Sequence, residues 1–296
     1  MNVLSCFDGM SCGRIALERA GFKVDKYYAA EIDRYAIKVT QKNYPDTVQL
    51  GDVCKVKAAN LPKIDLLIGG SPCQGFSFAG KQLNFDDPRS KLFFEFVRLL
   101  KECNPKYFLL ENVKMKKEYQ DVISGFLGVD PIEINSALVS AQNRKRLYWT
   151  NIPVVGQPKD RHISFQNFIE KTGNLGKYKL NKTPSRIRMW NNGKGRNAHH
   201  SCTNVTFLNK VNCVTTKQDR SNNTGLITYD GFCRYLTQNE LEQCQTVPIG
   251  YTKSVSYTQA SKMLGNGWTV DVIAWIFSFM DGTVKQDKQT TLFDMI

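Results

Sequence analysis

The chain has 296 residues, 42% of them apolar, and a formal charge of +13 from 40 Lys and Arg against 27 Asp and Glu. That length supports one large domain or two unequal ones with an ample core, and no apolar run approaches the roughly 18 residues needed to span a bilayer. Nine cysteines, an odd number without a CxxC pair, and an N-terminus "MNVLSCFDGM" lacking a basic-then-apolar pattern lead us to expect reduced thiols and a cytoplasmic protein.

In chain order, "MNVLSCF" reads as a strand, "DGMSCG" as a loop and "RIALERAGF" as a helix ended by Gly21. "KYYAAEI" is a second strand, "DRYAIKVTQKNYP" a helix closed by Pro45, and "TVQLGDV" a third strand. The continuous apolar runs "KIDLLIGG" and "KYFLLENV" suit central strands covered on both faces. Between them, "DPRSKLFFEFVRLLKEC" starts a helix at Asp87 and Pro88, with Leu92, Phe96, Leu99 and Leu100 on one stripe. Strands alternating with helices predict a doubly wound, mostly parallel α/β domain over residues 1–151. From Ile152 the sequence turns polar and Asn-rich, with short β-like pieces "NVTFL", "NCVTT" and "GLITY"; we expect a smaller, irregular or β domain over 152–257. The segment 258–296, with its apolar helix "TVDVIAWIFSFMD", is expected to pack back on the first domain.

A loop between a first strand and its helix is an anion site, because backbone N–H groups and the helix dipole converge there. Here the loop carries Gly9 and Gly13 but lacks the middle glycine that admits a pyrophosphate, which argues against a nicotinamide oxidoreductase. Glu31, at the end of the second strand, is placed to take ribose hydroxyls, and Asp52, after the third, to accept from an adenine amino group. A nucleoside ligand without a pyrophosphate fits, with S-adenosyl-L-methionine the leading choice and Phe7 against its body.

"LLIGGSPCQGFSFAGKQ" sets Cys73 just past a strand end, where doubly wound sheets bind ligands. Glu111 ends the neighbouring strand after four apolar residues, and desolvation there favours its protonated form. In "QNRKRLYW", Arg144 and Arg146 occupy alternate positions of a strand and share a face. A thiolate adds to C6 of a pyrimidine once an acid at N3 and a cation at O2 make the ring electron-poor. The addition makes C5 nucleophilic enough to take a methyl group from a sulfonium. An ordinary thiol pKa near 8.5 leaves only a few per cent thiolate at neutral pH, so Arg146 or the bound substrate must favour ionisation.

The segment from Lys171 to Arg220 holds eleven Lys and Arg against one acid, Asp219, together with Trp190 and many Asn, which suits a nucleic-acid surface. Arg186, Arg188, Arg196 and Arg220 are candidate base readers, since Arg addresses guanine O6 and N7 together. His199 and His200 beside Cys202 have no second ligand pair at zinc spacing, so no metal site is expected. Cys6, Cys12, Cys54 and Cys103 read as core or near-core thiols.

Taken in order, "FDGMSCG", "SPCQGFSFAGKQ", "ENV", "QNRKR", "RYLTQNELEQCQTVP" and "GNGWTV" cover nearly the whole chain and make it resemble the DNA (cytosine-5)-methyltransferase family of prokaryotic or phage type. The resemblance implies that Cys73 is the nucleophile, that Glu111 contacts N3 and the exocyclic amine, and that Arg146, supported by Arg144, holds O2 and the active loop. It implies cofactor contacts from Phe7, Asp8, Gly9, Gly13, Glu31, Ile32, Asp52, Val53, Pro72, Asn266 and Trp268, and DNA contacts from Gln74 and Ser77. The substrate would be a cytosine flipped out of double-stranded DNA, with "GFSFAGKQLNFDDP" as a lid, and the enzyme a monomer, with or without a cognate restriction endonuclease. Ser11-Cys12 stands where the family often has another glycine, a change expected to be tolerated; "QTVPIGYT" replaces a commoner Phe- or Tyr-Pro ending. Alternatives are an RNA cytosine-5 methyltransferase of the same family and a catalytically inactive DNA-binding regulator.

Overall fold

The computed structural model describes residues 1–71, 88–191, 201–220 and 223–282. Pro72, Cys73, Gln74, Ser77, Arg196, His199 and His200 lie outside them, as do residues 75–87 of the expected lid. The chain divides into two compact units. The first comprises Met1–Ile134, Lys145–Gln157 and the segment from Val272; the second comprises Asn135–Arg144 and Pro158–Asp271.

The first unit is built on strands β1 (Asn2–Cys6), β2 (Lys26–Ala30), β3 (Val48–Gln49), β4 (Leu66–Gly69), β5 (Tyr107–Val113), β6 (Ile132–Asn135) and β7 (Lys145–Thr150). They form one sheet in the order β3-β2-β1-β4-β5-β7-β6. The pairs from β3 to β5 are parallel, and β5 pairs antiparallel with β7. The apolar runs fill its middle: Leu4, Leu67, Leu110 and Trp149 share a core with Phe93 and Phe96 of the helix that follows β4 in sequence. This α/β architecture is the expected one. Its helices are α1 (Cys12–Arg19), α2 (Arg34–Asn43), α3 (Pro88–Cys103) and α4 (Lys117–Leu127). Asp33 caps α2 by accepting from the Tyr35 N–H, and Gly128 closes α4 in the left-handed region at φ 72°. In α3 the buried stripe is Phe93, Phe96, Val97 and Leu99, one step round from the expected one, with Leu92 and Leu100 at its margin.

The second unit carries α5 (Pro184–Asn191), the hairpin of β8 (Ile227–Tyr229) and β9 (Phe232–Arg234), α6 (Gln238–Cys244) and α7 (Tyr257–Asn266). α8 (Val270–Phe277) starts in this unit and continues into the first. Of the β-like pieces, only "GLITY" contributes a strand; "NVTFL" makes one isolated bridge at Asn204, and "NCVTT" makes none, the nearest bridge being at Val211 just before it. The divisions expected at 151/152 and 257/258 also differ from those observed. Residues 135–144 join the second unit because Gln142 and Arg144 bond to its backbone, and α7 stays there because Gln245 Nε2 donates to the Leu264 carbonyl at 2.6 Å.

A buried ion pair orders the start of α6. Glu240 receives Arg234 on both carboxylate oxygens at 2.8 Å, and Thr237 and Glu240 complete a reciprocal cap on the helix N-terminus.

Candidate active site

The parallel register brings the ends of β1, β2 and β4 level with Leu110 of β5; β5 itself runs on to Val113 paired with β7, so Glu111 lies inside the strand and not at the end where the sequence placed it. Cys6 pairs with both Ala30 and Gly69, and Gly69 pairs with Leu110. The next residues along these strands are therefore Glu31, Phe7, Gly70 and Glu111, about 5 Å apart from strand to strand. This row lies at the carboxyl edge of the sheet, where the strand order reverses between β1 and β4, the place where such sheets bind ligands.

The loop after β1 is held in an uncommon conformation. Phe7, Gly9 and Ser11 all have positive φ, near 60°. Only glycine adopts that region freely, so Ser11, at the position where the resemblance led us to look for glycine, needs compensation. Its hydroxyl provides it, donating to Asp8 Oδ2 and lying 3.0 Å from Thr40 Oγ1. Asp8 also accepts from the buried Tyr27 hydroxyl at 2.8 Å. Burial pushes the Asp8 carboxyl up to about 6 against these hydrogen bonds.

Glu31 ties this loop to β2. Its Oε2 accepts from Gly9 N–H at 2.7 Å, and its Oε1 from Ile32 and Asp33 N–H, both at 2.8 Å. A carboxylate offers about four acceptor positions, so three donors orient Glu31 and leave capacity for a ribose hydroxyl. Ile32, beside it, is 77% exposed and presents an apolar surface. Asp52 caps a short 3-10 turn, Val53–Lys55, with Oδ1 accepting from Cys54 N–H at 3.0 Å, and its carboxylate also neighbours the Cys54 thiol. Val53 is buried beneath it. A β-carbon added at Gly9 would meet open space. These acceptors, the open space at Gly9 and the exposed apolar face are of the chemistry that the nucleoside of S-adenosyl-L-methionine requires, and in that sense the residues fit it. Gly13, inside the first turn of α1, is buried.

Glu111 is buried and forms an ion pair with Arg146, Nε to Oε1 at 2.9 Å. The antiparallel register explains the pairing: Val113 opposes Arg146, so Arg146 is the diagonal neighbour of Glu111 on one face. The site expected for Glu111 alone is thus shared with a guanidinium.

Arg144 departs from its expected place. β7 begins one residue later, at Lys145, so no strand alternation links the two arginines. Arg144 is 3% exposed in the second unit, where NH1 donates to the Val214 carbonyl at 2.9 Å and the Gly265 carbonyl at 3.4 Å, and NH2 to the Gly267 carbonyl at 2.8 Å. It caps the C-terminal end of α7 as a buried cation, favoured there by the helix dipole. This is a structural role that its spacing from Arg146 did not reveal.

Asn266, the last residue of α7, is exposed and Trp268 is half-buried; both belong to the second unit. On α5, Met189 and Trp190 pack on the cluster of Leu180, Cys202, Leu226, Phe232 and Cys233. Arg186 shares their side and faces Asp219 at 3.8 Å, whereas Arg188 and Ile187 are exposed, as is Arg220. Cys6 and Cys12 are buried as expected and Cys103 is half-buried, but Cys54 is exposed on its 3-10 turn. Among the described residues, no three His, Cys, Asp or Glu side chains are grouped to hold a metal ion, and no helix is long and apolar enough to cross a membrane.

Residues 1–122 match the family described as C-5 cytosine-specific DNA methylase. The type II methyltransferase M1.ScrFI of Lactococcus lactis subsp. cremoris is 30% identical over 97% of this chain and 79% of its own length. The orphan methyltransferase M.SPRI of Bacillus phage SPR is 38% identical over 50% of this chain, which spans 37% of that protein's length. The solved DNMT2 structure from Spodoptera frugiperda shares the fold, with a TM-score of 0.74 at 20% identity over 94% of this chain and 98% of that one. The strand-end row, the paired Glu111 and Arg146 and the near full-length relative lead to one assignment: this chain belongs to the C-5 cytosine-specific DNA methylase family.

Proposed function

We propose that the protein transfers a methyl group from S-adenosyl-L-methionine to C5 of a cytosine swung out of double-stranded DNA, with Cys73 as nucleophile. One observation supports this most: the Glu111–Arg146 pair, the cofactor loop and the chain entering Ser71-Pro72-Cys73 leave adjacent strands at one level of the sheet.

In this reading the Cys73 thiolate forms a bond to C6, and the displaced ring electrons are received at N3, where the Glu111 carboxyl places a proton. Arg146 holds Glu111 through Nε and donates from NH1 to the Lys145 carbonyl at 2.8 Å, and in this reading the guanidinium so fixed faces O2. The bound cofactor supplies an electrophilic methyl group, which C5 takes with the enamine electron pair. Loss of the C5 proton to solvent then returns an electron pair that expels Cys73 as thiolate, and N3 gives its proton back to Glu111, leaving neutral 5-methylcytosine. The cofactor would be held by Glu31 at the ribose, by Asp52 at the adenine amino group, and by Phe7 and Ile32 at its apolar parts.

We assign catalysis to the first unit and target recognition to the second. Arg188 and Arg220 are the available readers or phosphate contacts, while Arg186 is partly engaged by Asp219. Bisulfite sequencing of DNA from cells expressing the protein tests the reading: protected cytosines should recur in one short sequence context. Protection absent from DNA but present in RNA would transfer the activity to the RNA alternative.

A further inference from the structure

α5 is mounted on the second unit by one face and bare on the other. Met189 and Trp190 pack on the cluster that includes Phe232 and Cys202, with the Trp190 and Phe232 rings edge to face at 6.3 Å between centroids. The Met189 carbonyl accepts from Cys202 N–H at 3.1 Å, and at the helix start Thr183 Oγ1 accepts from Arg186 N–H at 3.3 Å. Arg186, one turn before Met189 and Trp190, faces Asp219 at 3.8 Å, and the Tyr235 hydroxyl donates to the same carboxylate oxygen at 3.1 Å. Asp219 is the one acid between Lys171 and Arg220, so the mounting face engages it. The opposite stripe, at the i, i+3, i+4 and i+7 positions, is Pro184, Ile187, Arg188 and Asn191, all exposed. Among the described residues no acid pairs with Arg188 there.

We propose that this outward stripe reads the recognition sequence in the major groove of duplex DNA, with Arg188 addressing a guanine and Asn191 the adenine of a neighbouring base pair. The proposal rests on the reading of the protein as a DNA methyltransferase. The guanidinium fork meets guanine O6 and N7 together, the asparagine amide meets adenine N6 and N7, and an exposed aliphatic such as Ile187 suits a thymine methyl group. The eight residues of α5 extend about 12 Å, and a helix is an element that the major groove, about 12 Å wide, admits. Along the helix axis Arg188 and Asn191 stand about 4.5 Å apart, against about 3.4 Å between base pairs, so they reach adjacent pairs. The charge agrees: the stripe, and the exposed Lys182 just before the helix, carry cations and no acid, which suits a groove walled by phosphates.

The test is bisulfite sequencing of DNA from cells that lack other cytosine methylation and express the full chain, as parent, Arg188→Ala, Arg188→Lys or Asn191→Ala. Thermal midpoints of the purified proteins are measured beside it. We expect the parental context to contain a fixed G·C pair and a fixed A·T pair next to it. In Arg188→Ala, discrimination at the G·C pair should fall about tenfold or more while the other positions stay fixed. Arg188→Lys keeps the charge but loses the fork, and should relax the same position; Asn191→Ala should relax the A·T pair alone. A context as narrow as the parent's in both alanine variants overturns the proposal. So does a loss spread evenly over all sites with the context unchanged, which would make the stripe a phosphate contact. If Arg188→Ala does not fold, Arg188→Lys and Asn191→Ala decide on the same terms. Methylation by the parent that is absent from DNA would defeat the methyltransferase reading and this proposal with it, a result distinct from an unchanged context on DNA.

Discussion

Replacing Arg144 by alanine separates a structural role from a catalytic one. The side chain is buried and its guanidinium serves three backbone carbonyls, those of Val214, Gly265 and Gly267, with Cys213 Sγ at 3.2 Å as a further neighbour. Among the described residues no carboxylate pairs with it, so its removal strands acceptors rather than a charge. Each buried carbonyl left without its charged donor costs about 1 kcal/mol or more, and the cavity left by the side chain adds to this. We expect a loss of about 3–5 kcal/mol. Urea unfolding of Arg144→Ala and the parent, followed by circular dichroism without cofactor, measures it. Lysine should restore less than half, because a point charge cannot replace a planar fork reaching separate carbonyls. A stability loss below about 1 kcal/mol together with abolished methyl transfer would refute the reasoning and return Arg144 to the catalytic group.

Three further outcomes follow from the geometry. Asp8 holds its proton to about pH 6 in the folded state against about 3.8 unfolded, so its contribution is most favourable below pH 4, declines as pH rises to 6, and stays low above; Asp8→Asn should lack that decline, and a variant whose stability falls between pH 4 and 6 as steeply as the parent's would contradict this. A β-carbon at Gly265 would lie 2.4 Å from the Thr215 and Thr216 backbone, so Gly265→Ala should lower the thermal midpoint by several degrees, equivalent to about 1–3 kcal/mol. Arg146→Lys loses the Nε bond to Glu111 and should lower kcat by about 10²-fold with the cofactor KM nearly unchanged; equal loss in both would assign Arg146 to cofactor binding instead.

The parallel core was legible because "KIDLLIGG" and "KYFLLENV" are apolar without interruption, which only strands covered on both faces require. Glu31 and Glu111 were legible for a related reason: each is a carboxylate directly after such a run. Arg144 was not, because alternation assigns faces only inside a strand, and a start one residue later at Lys145 detaches Arg144 from Arg146. α4 has apolar residues at 119, 122, 123, 126 and 127, but no glycine or proline separates it from β5. The second unit gave few periodic signals because side chains bonding to backbone hold much of it. Lys210 Nζ reaches the Ala137 and Ser140 carbonyls, and Gln218 accepts from Leu236 N–H. The spacing Thr237-x-x-Glu240 is a capping box that we did not read from the sequence, and the burial of Glu240 with Arg234 explains why the "RYLTQNELEQC" stretch carries an acid and a base six residues apart.

The central claim is that Cys73 forms a covalent bond to the target base. Trapping the protein on 5-fluorocytosine duplex DNA with cofactor, followed by proteolysis and mass spectrometry, tests it most directly. The account predicts a single modified peptide whose added mass maps to Cys73 and which is lost in Cys73→Ala. An adduct on any of the other eight cysteines, or methyl transfer surviving in Cys73→Ala, would contradict it.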